Sequence, residues 1–284
     1  MNTKKKLMFV FGTRPEAIKM APVIKAFKED GSFIVCICVL RQHKETPEIL
    51  ASFGIVPDKN IGMPVGVRKR SVIRSAIGLF KFYRILKREK PDMLFVQGDT
   101  FTAFVAAFTA FYLKIKVAHI EAGLRTYNKW APFPEEINRQ LISRIADLHF
   151  APTKRAERNL LNENIPEDQI RVVGNTAVDA VRIMSERSTI TQADDYEGKV
   201  VLVTAHRRES FGKGISNICD AIIKLSKEYP DVNFIYPVHP NPNISRVVYG
   251  KLRGIGNIHL IPPVNYEEFV HMMKKSYLIP VSYT

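Results

Sequence analysis

Short apolar runs rich in β-branched residues alternate with helical patterns along the chain. The first run, residues 7–11, is followed by Thr13 and Pro15, which suit the N-cap and first turn of a helix. Similar runs follow in both halves of the chain, at residues 33–40, 93–97, 116–120, 200–205, 233–238 and 259–261. This alternation is typical of α/β proteins and predicts doubly wound parallel sheets.

A polar stretch without hydrophobic periodicity interrupts the alternation. We therefore predict an N-terminal Rossmann-like domain at residues 1–180, a linker at 181–199 and a second Rossmann-like domain at 200–284. A chain of 284 residues is long enough for two such domains. Two domains of this kind are expected to face each other across a cleft.

The chain is basic, with 42 Lys and Arg against 28 Asp and Glu and a net charge of +14. The densest basic stretch, residues 68–90, also carries Phe80, Phe82 and Tyr83 at helical spacing. This pattern favours an amphipathic helix with a solvated basic face, and a membrane-surface or partner-binding face is the alternative. Because no nucleic-acid recognition motif and no apolar run of transmembrane length occur, we expect neither nucleic acid nor membrane as a partner.

The cysteines predict a reducing environment. Cys36, Cys38 and Cys219 lie in apolar surroundings, and such residues are usually small members of the core. No further ligands are suitably spaced nearby, so we expect no metal site. The apolar run near the N-terminus is too short for a secretory signal, which predicts a cytoplasmic protein.

Polar or ionisable residues follow the predicted strands. In open α/β sheets, ligands bind outside the carboxyl ends of the strands. The residues at these ends are 12–14, 41–43, 98–100, 121–123, 206–209 and His239. Cations there suit a diphosphate, and carboxylates with a histidine suit proton transfer, although helix caps and surface ion pairs remain the alternative. Since neither GxGxxG nor GxxxxGK[ST] is present, the substrate is expected to bring its own phosphates.

The chain resembles the non-hydrolysing UDP-N-acetylglucosamine 2-epimerases. The matching segments run in family order and are FGTRPEAIKMAP (11–22), GDT (98–100), HIEAGLRT (119–126), PFPEEINR (132–139), DLHFAPT (147–153), VGNT (173–176), TAHRRES (204–210) and YPVH (236–239). A hydrolysing relative or a glycosyltransferase is disfavoured, because the segments at 119–126 and 132–139 follow the epimerase pattern.

The resemblance implies a fold like that of the GT-B glycosyltransferases, with a second domain that binds the nucleotide. It implies an isomerase that interconverts UDP-N-acetylglucosamine and UDP-N-acetylmannosamine by eliminating and re-adding UDP. Such an enzyme would use no cofactor, would supply cell-surface polysaccharide synthesis and would form a homodimer.

The resemblance also implies roles for individual residues. The acid–base candidates are Asp99, Glu121 and Glu135, with His206 at the leaving UDP or in proton transfer. The residues expected to contact the nucleotide-sugar are Arg14, Lys19, Arg139 and Phe269. A second UDP-N-acetylglucosamine is expected to act as an activator beside Gln42, His43, Glu136, Arg207, Arg208 and His239.

The chain departs from the family pattern in two places. Arg41 stands where the family usually has a small residue. After residue 279 the family continues with an Asp-Ser-Gly-Gly block that binds the nucleotide, whereas this chain reads Pro-Val-Ser-Tyr-Thr. We therefore expect a truncated, incomplete second domain, and the alternative to an active epimerase is a catalytically inactive remnant of one.

Overall fold

The structure, a computed structural model, describes residues 4–41, 46–62, 69–187, 196–205 and 213–280. Its contacts divide the chain into two units, residues 1–180 and 181–284. Each unit contains a parallel sheet of its own.

Unit 1 alternates strands and helices. Its strands are β1 (Lys6–Phe11), β2 (Ile34–Arg41), β3 (Lys59–Gly62), β4 (Met93–Gln97), β5 (Lys116–Ile120), β6 (Leu148–Ala151) and β7 (Ile170–Val172). Its helices are α1 (Arg14–Asp30), α2 (Thr46–Ser52), α3 (Lys69–Glu89), α4 (Phe101–Tyr112), α5 (Glu135–Ile145), α6 (Lys154–Asn162) and the first half of α7 (Thr176–Ser185), with a 3₁₀ turn at Glu167–Gln169. The strands pair in parallel in the order β3-β2-β1-β4-β5-β6-β7, in which β1, β4 and β5 are neighbours.

Small side chains let α4 lie close to this sheet. Ala103, Ala106, Ala107 and Ala110 are all fully buried in the core beside β1 and β4. Cys38 lies in the same core, where burial raises the pKa of its thiol to about 12. The thiol therefore behaves as an apolar core group, as the sequence predicts.

Unit 2 repeats the same alternation on a smaller scale. Its elements are β8 (Lys199–Leu202), α8 (Lys213–Glu228), β9 (Val232–Pro237), α9 (Pro242–Leu252), β10 (Ile258–Ile261) and α10 (Tyr266–Lys275). The strands pair in parallel in the order β10-β9-β8, and Leu278 adds an isolated bridge to Val201. Two α/β units with parallel sheets confirm the predicted fold class. The stretch predicted as a linker begins inside α7, and its residues 188–195 lie outside the described part of the chain.

The basic stretch forms the amphipathic helix α3, as predicted. Phe82 and Leu86 are fully buried, whereas Lys81 and Arg84 are exposed to solvent. Phe80 departs from the apolar face and is 62% exposed. Among the described helices, none combines the length and apolar character needed to traverse a bilayer.

Gly123 provides a test of how tightly unit 1 is packed. Its φ is +85°, and a Cβ there would lie 2.3 Å from the carbonyl oxygen of Ala156. Gly174 has a similar φ of +82°, but a Cβ there would meet no described atom within 4 Å. Gly174→Ala should therefore cost about 1–2 kcal/mol for the left-handed backbone alone. Gly123→Ala should cost roughly 1–3 kcal/mol more because the helix α6 must move.

Urea unfolding of both variants, followed through the transition of unit 1, measures this difference. Equal losses in the free energy of unfolding would contradict the predicted close contact between Gly123 and α6.

Candidate active site

The carboxyl ends of β1, β4 and β5 open into one pocket of about 550 Å³. Five residues predicted from the sequence line it, namely Arg14, Lys19, Asp99, Glu121 and Arg139. Arg14 and Lys19 lie on α1, Asp99 and Glu121 follow β4 and β5, and Arg139 comes from α5. These five residues bring three cationic side chains and two carboxylates to the pocket.

Glu121 directly follows β5 with a φ of +65°. The left-handed region is unfavourable for a residue with a Cβ, so surrounding contacts must hold this conformation. The Lys19 ammonium donates to Glu121 Oε2 at 2.5 Å, and the Gln97 amide donates to the same oxygen. With its side chain 13% exposed, the carboxylate is oriented by its neighbours yet open to the pocket.

Asp99 lies in the turn between β4 and α4, and Arg139 is its partner. An Arg139 Nη2 group donates to Asp99 Oδ2, and Arg139 Nη1 lies 3.7 Å from Glu136 Oε2. The guanidinium therefore links the turn to α5 through a charge-assisted bond. The Asp99 side chain remains 25% exposed.

Glu136 anchors the loop that follows β5. Its side chain is fully buried, and its two oxygens accept hydrogen bonds from the Thr126 and Tyr127 amides and from Gln140. Burial raises the pKa of Glu136, but these hydrogen bonds outweigh burial and leave the pKa below its ordinary value. The buried carboxylate favours a role in holding the loop, and the predicted contact with an activator stays a prediction.

Arg125 also belongs to the framework of this loop. Its guanidinium is fully buried and donates to both oxygens of Glu163, at 2.7 and 2.8 Å, and to the Ser143 hydroxyl. The pairing satisfies a buried charge, as an ordered interior requires. Of the charged residues in this part of the sequence, only some are therefore turned toward the pocket.

The remaining predicted residues lie elsewhere. Glu135 is the first residue of α5, partly exposed, and is not among the residues that line the pocket. In unit 2, Phe269 packs against the core that contains Leu202 and Met272. His239 is exposed, and its Nδ1 accepts the Asn241 amide at 3.1 Å. Their roles toward a ligand stay predictions.

Five predicted site residues fall outside the described ranges, and their roles also stay predictions. They are Gln42, His43, His206, Arg207 and Arg208. Within the described ranges, no group of three His, Cys, Asp or Glu side chains is arranged to hold a metal ion.

Sequence reasoning missed several polar residues around the pocket. Glu16 and Gln97 line it, and the buried side chains of His119 and Asn138 bond to the turn that carries Asp99. One signal was present: a threonine followed three residues later by a glutamate, as in Thr13 to Glu16, is the pattern of a capping box. Gln97 bonds to the Glu121 carboxylate, and His119 and Asn138 bond to main-chain carbonyls, and no sequence pattern reveals these contacts.

Comparison with known proteins identifies the class. Residues 25–280 match the family model described as UDP-N-acetylglucosamine 2-epimerase. The UDP-N-acetylglucosamine 2-epimerase of Yersinia pestis is 43% identical over 286 residues, covering 96% of this chain and 76% of that protein. The chain belongs to the UDP-N-acetylglucosamine 2-epimerase family.

Solved structures of this family share the fold. The UDP-GlcNAc 2-epimerase from Neisseria meningitidis, bound to UDP-GlcNAc, is 42% identical with a TM-score of 0.84, over 96% of this chain and 76% of that one. The enzyme from Methanocaldococcus jannaschii, in complex with UDP-GlcNAc and UDP, is 33% identical with a TM-score of 0.76, over 96% of this chain and 78% of that one.

The anchoring role of Glu136 predicts a pH-dependent stability. Because its folded pKa is lowered, its contribution is complete above its ordinary value of 4.5 and is lost as the pH falls through the folded pKa. Glu136→Gln should therefore reduce the free energy of unfolding at pH 7 by roughly 1–3 kcal/mol. The difference from wild type should shrink as the pH falls below 4.5.

Glu29 provides the control, because it is 66% exposed and lies 3.7 Å from Lys25 in a surface pair. Glu29→Gln should change stability by less than about 1 kcal/mol. Denaturant titrations at pH 7 and at acidic pH measure both variants. A pH-independent loss for Glu136→Gln would argue against the ionised anchor.

Proposed function

We propose that this protein interconverts UDP-N-acetylglucosamine and UDP-N-acetylmannosamine as a non-hydrolysing 2-epimerase. The observation that carries the proposal is the pocket of unit 1, where Asp99 and Glu121 meet Lys19, Arg139 and Arg14. Membership of the family indicates the reaction, and the pocket contains the acid–base and cationic groups that this reaction needs.

The reaction moves one proton and one leaving group. A base removes the proton from C2 of the sugar, the C2–H electron pair forms a C1=C2 double bond, and the C1–O bond breaks to release UDP. The 2-acetamidoglucal then accepts a proton on the opposite face of C2, and UDP adds back to C1. The sequence is redox-neutral.

The carboxylates suit the proton transfer, and the cations suit binding of the diphosphate. The C2 proton is weakly acidic, so a base must be held against it in a fixed orientation, and the oriented carboxylates of Asp99 and Glu121 suit that role. The departing UDP carries negative charge on its diphosphate, which favours Arg14, Lys19 and Arg139 as its partners.

The proposal extends to the setting of the enzyme. Three buried cysteines without disulfides fit the reducing cytoplasm, where a sugar nucleotide for polysaccharide synthesis would be made. Activation by a second UDP-N-acetylglucosamine remains part of the proposal.

Asp99 and Glu121 are tested by isosteric amides. Asp99→Asn and Glu121→Gln should each lower kcat by at least about 100-fold, because the amide cannot take a proton. The exposed pair of Lys5 and Asp92 offers a control, and Asp92→Asn should leave kcat within a factor of about two.

Conversion of UDP-N-acetylglucosamine in D₂O, followed by NMR, measures turnover and deuterium incorporation at C2 together. Turnover by the wild-type chain without deuterium at C2 would refute the elimination path. Absence of any turnover by the wild-type chain would refute the proposed function and favour the inactive remnant.

We also propose that the protein forms a homodimer through the outer face of α4. Phe108, Phe111 and Tyr112 are 45%, 57% and 69% exposed, and the Tyr112 ring contacts both phenylalanine rings. A cluster of exposed aromatic rings is typical of a protein–protein interface rather than of a free surface.

Phe111→Arg should shift the protein from dimer to monomer in light scattering, because a charge would be buried in the interface. Val56 is a single apolar side chain, 77% exposed, and Val56→Arg should leave the mass unchanged. A monomeric wild type, or a Phe111→Arg dimer of unchanged affinity, would contradict the proposed interface.

A further inference from the structure

Three buried polar side chains converge on the turn that carries Asp99. The His119 Nε2 group bonds to the carbonyl oxygen of Gly98 at 2.7 Å. Asn138 Nδ2 donates to the carbonyl oxygen of Asp99 at 2.9 Å, and the Thr100 hydroxyl donates to Glu16 Oε1 at 2.6 Å. Each of the three consecutive turn residues is thus bonded to a side chain from a different element.

These three side chains lie in the interior. His119, Glu16 and Asn138 are 0%, 1% and 6% exposed. A buried polar group is costly unless it is hydrogen-bonded. Water could have satisfied the carbonyl groups of the turn, so three buried side chains bonded to it indicate a specific role. The only ionisable side chain that this turn presents to the pocket is that of Asp99.

The bonding partners of His119 and Glu16 define which of them donates and which accepts. A carbonyl oxygen only accepts, so His119 Nε2 must carry the proton. Burial lowers the pKa of His119 to about 3, so the ring stays neutral near neutral pH and the bond persists. Glu16 Oε2 accepts the Gly12 and Thr13 amides, which connects the turn after β1 to the turn after β4.

We propose that His119, Asn138 and Glu16 are positioning residues that hold the main chain of residues 98–100, and thereby the Asp99 carboxylate, in the geometry for proton transfer. This inference rests on the proposed function, since Asp99 must act on the sugar. It adds residues that touch no substrate but determine where the base lies. Their removal should lower kcat much more than it changes KM.

The alternative is that these residues only stabilise the sheet. His149 tests this alternative, because it is also fully buried, lies on β6 directly beside His119 on β5, and bonds to a main-chain carbonyl, that of Ser143, at 3.0 Å. Burial lowers the pKa of His149 as well. The carbonyl partner of His119 belongs to the Asp99 turn, whereas that of His149 does not.

The first measurement compares kinetics and stability of His119→Leu with His149→Leu. Both should lower Tm to a similar extent. His119→Leu should lower kcat on the order of 10- to 100-fold with KM within about threefold, whereas His149→Leu should leave both within about threefold. His119→Gln, whose amide nitrogen can replace Nε2 as donor, should recover most of the lost kcat.

The second measurement does not require turnover. The amides of Ala103 and Phe104 bond to the side chain and carbonyl of Thr100, so their hydrogen exchange reports on the turn. They should exchange about tenfold faster or more in His119→Leu and in Asn138→Ala, and at the wild-type rate in His149→Leu. Asn138→Ala serves as the second variant if His119→Leu does not fold.

The outcomes separate the two proposals. A wild type without turnover refutes the epimerase proposal. In that case, amide hydrogen exchange at Ala103 and Phe104 still decides whether these side chains hold the turn. Equal kinetic losses in the two histidine variants, or unchanged amide exchange in both His119→Leu and Asn138→Ala, would overturn the positioning role. A loss of kcat and of amide protection confined to variants of the residues bonded to the turn, with rescue by His119→Gln, would support it.

Discussion

The parallel pairing of β1, β4 and β5 is the constraint on which the site depends. The three strands are neighbours in the sheet, with Phe9 opposite Phe95 and Gln97 opposite Ile120, so their carboxyl ends lie at one edge. Turns that are distant in the sequence therefore meet in one pocket. Because the core holds these strands, the polar turns need only local bonds to fix their side chains.

Around the pocket, burial separates two kinds of charged residue. Glu136 and the Arg125 guanidinium are fully buried, and they bond to the loop, to α5 and to Glu163 after α6. Glu121 is paired with Lys19, and Arg139 with Asp99, but both remain partly exposed to the pocket. A buried charge must be satisfied by fixed partners, so residues of the first kind hold the loop. Only residues of the second kind remain open to a ligand.

The apolar runs of the sequence predicted β1, β4 and β5 to within a residue at each end, because such runs are a local signal. The sequence analysis did not predict the four-residue strand β3 (Lys59–Gly62) or the helix α9 (Pro242–Leu252). The support of Asp99 was also missed. Asn138 bonds to a carbonyl 39 residues away, and main-chain partners of this kind leave no mark on side-chain patterns.

The sequence by itself determined the α/β class, the parallel sheets and the family, because strand and helix periodicities and ordered motifs are properties of the chain read along its length. Only the tertiary structure decided which charged residues face the pocket. It brought Arg14, Lys19 and Arg139 to the two carboxylates, and it enclosed Glu136 in its loop. The reason is physical: burial and hydrogen-bond partners depend on contacts between segments that the sequence keeps far apart.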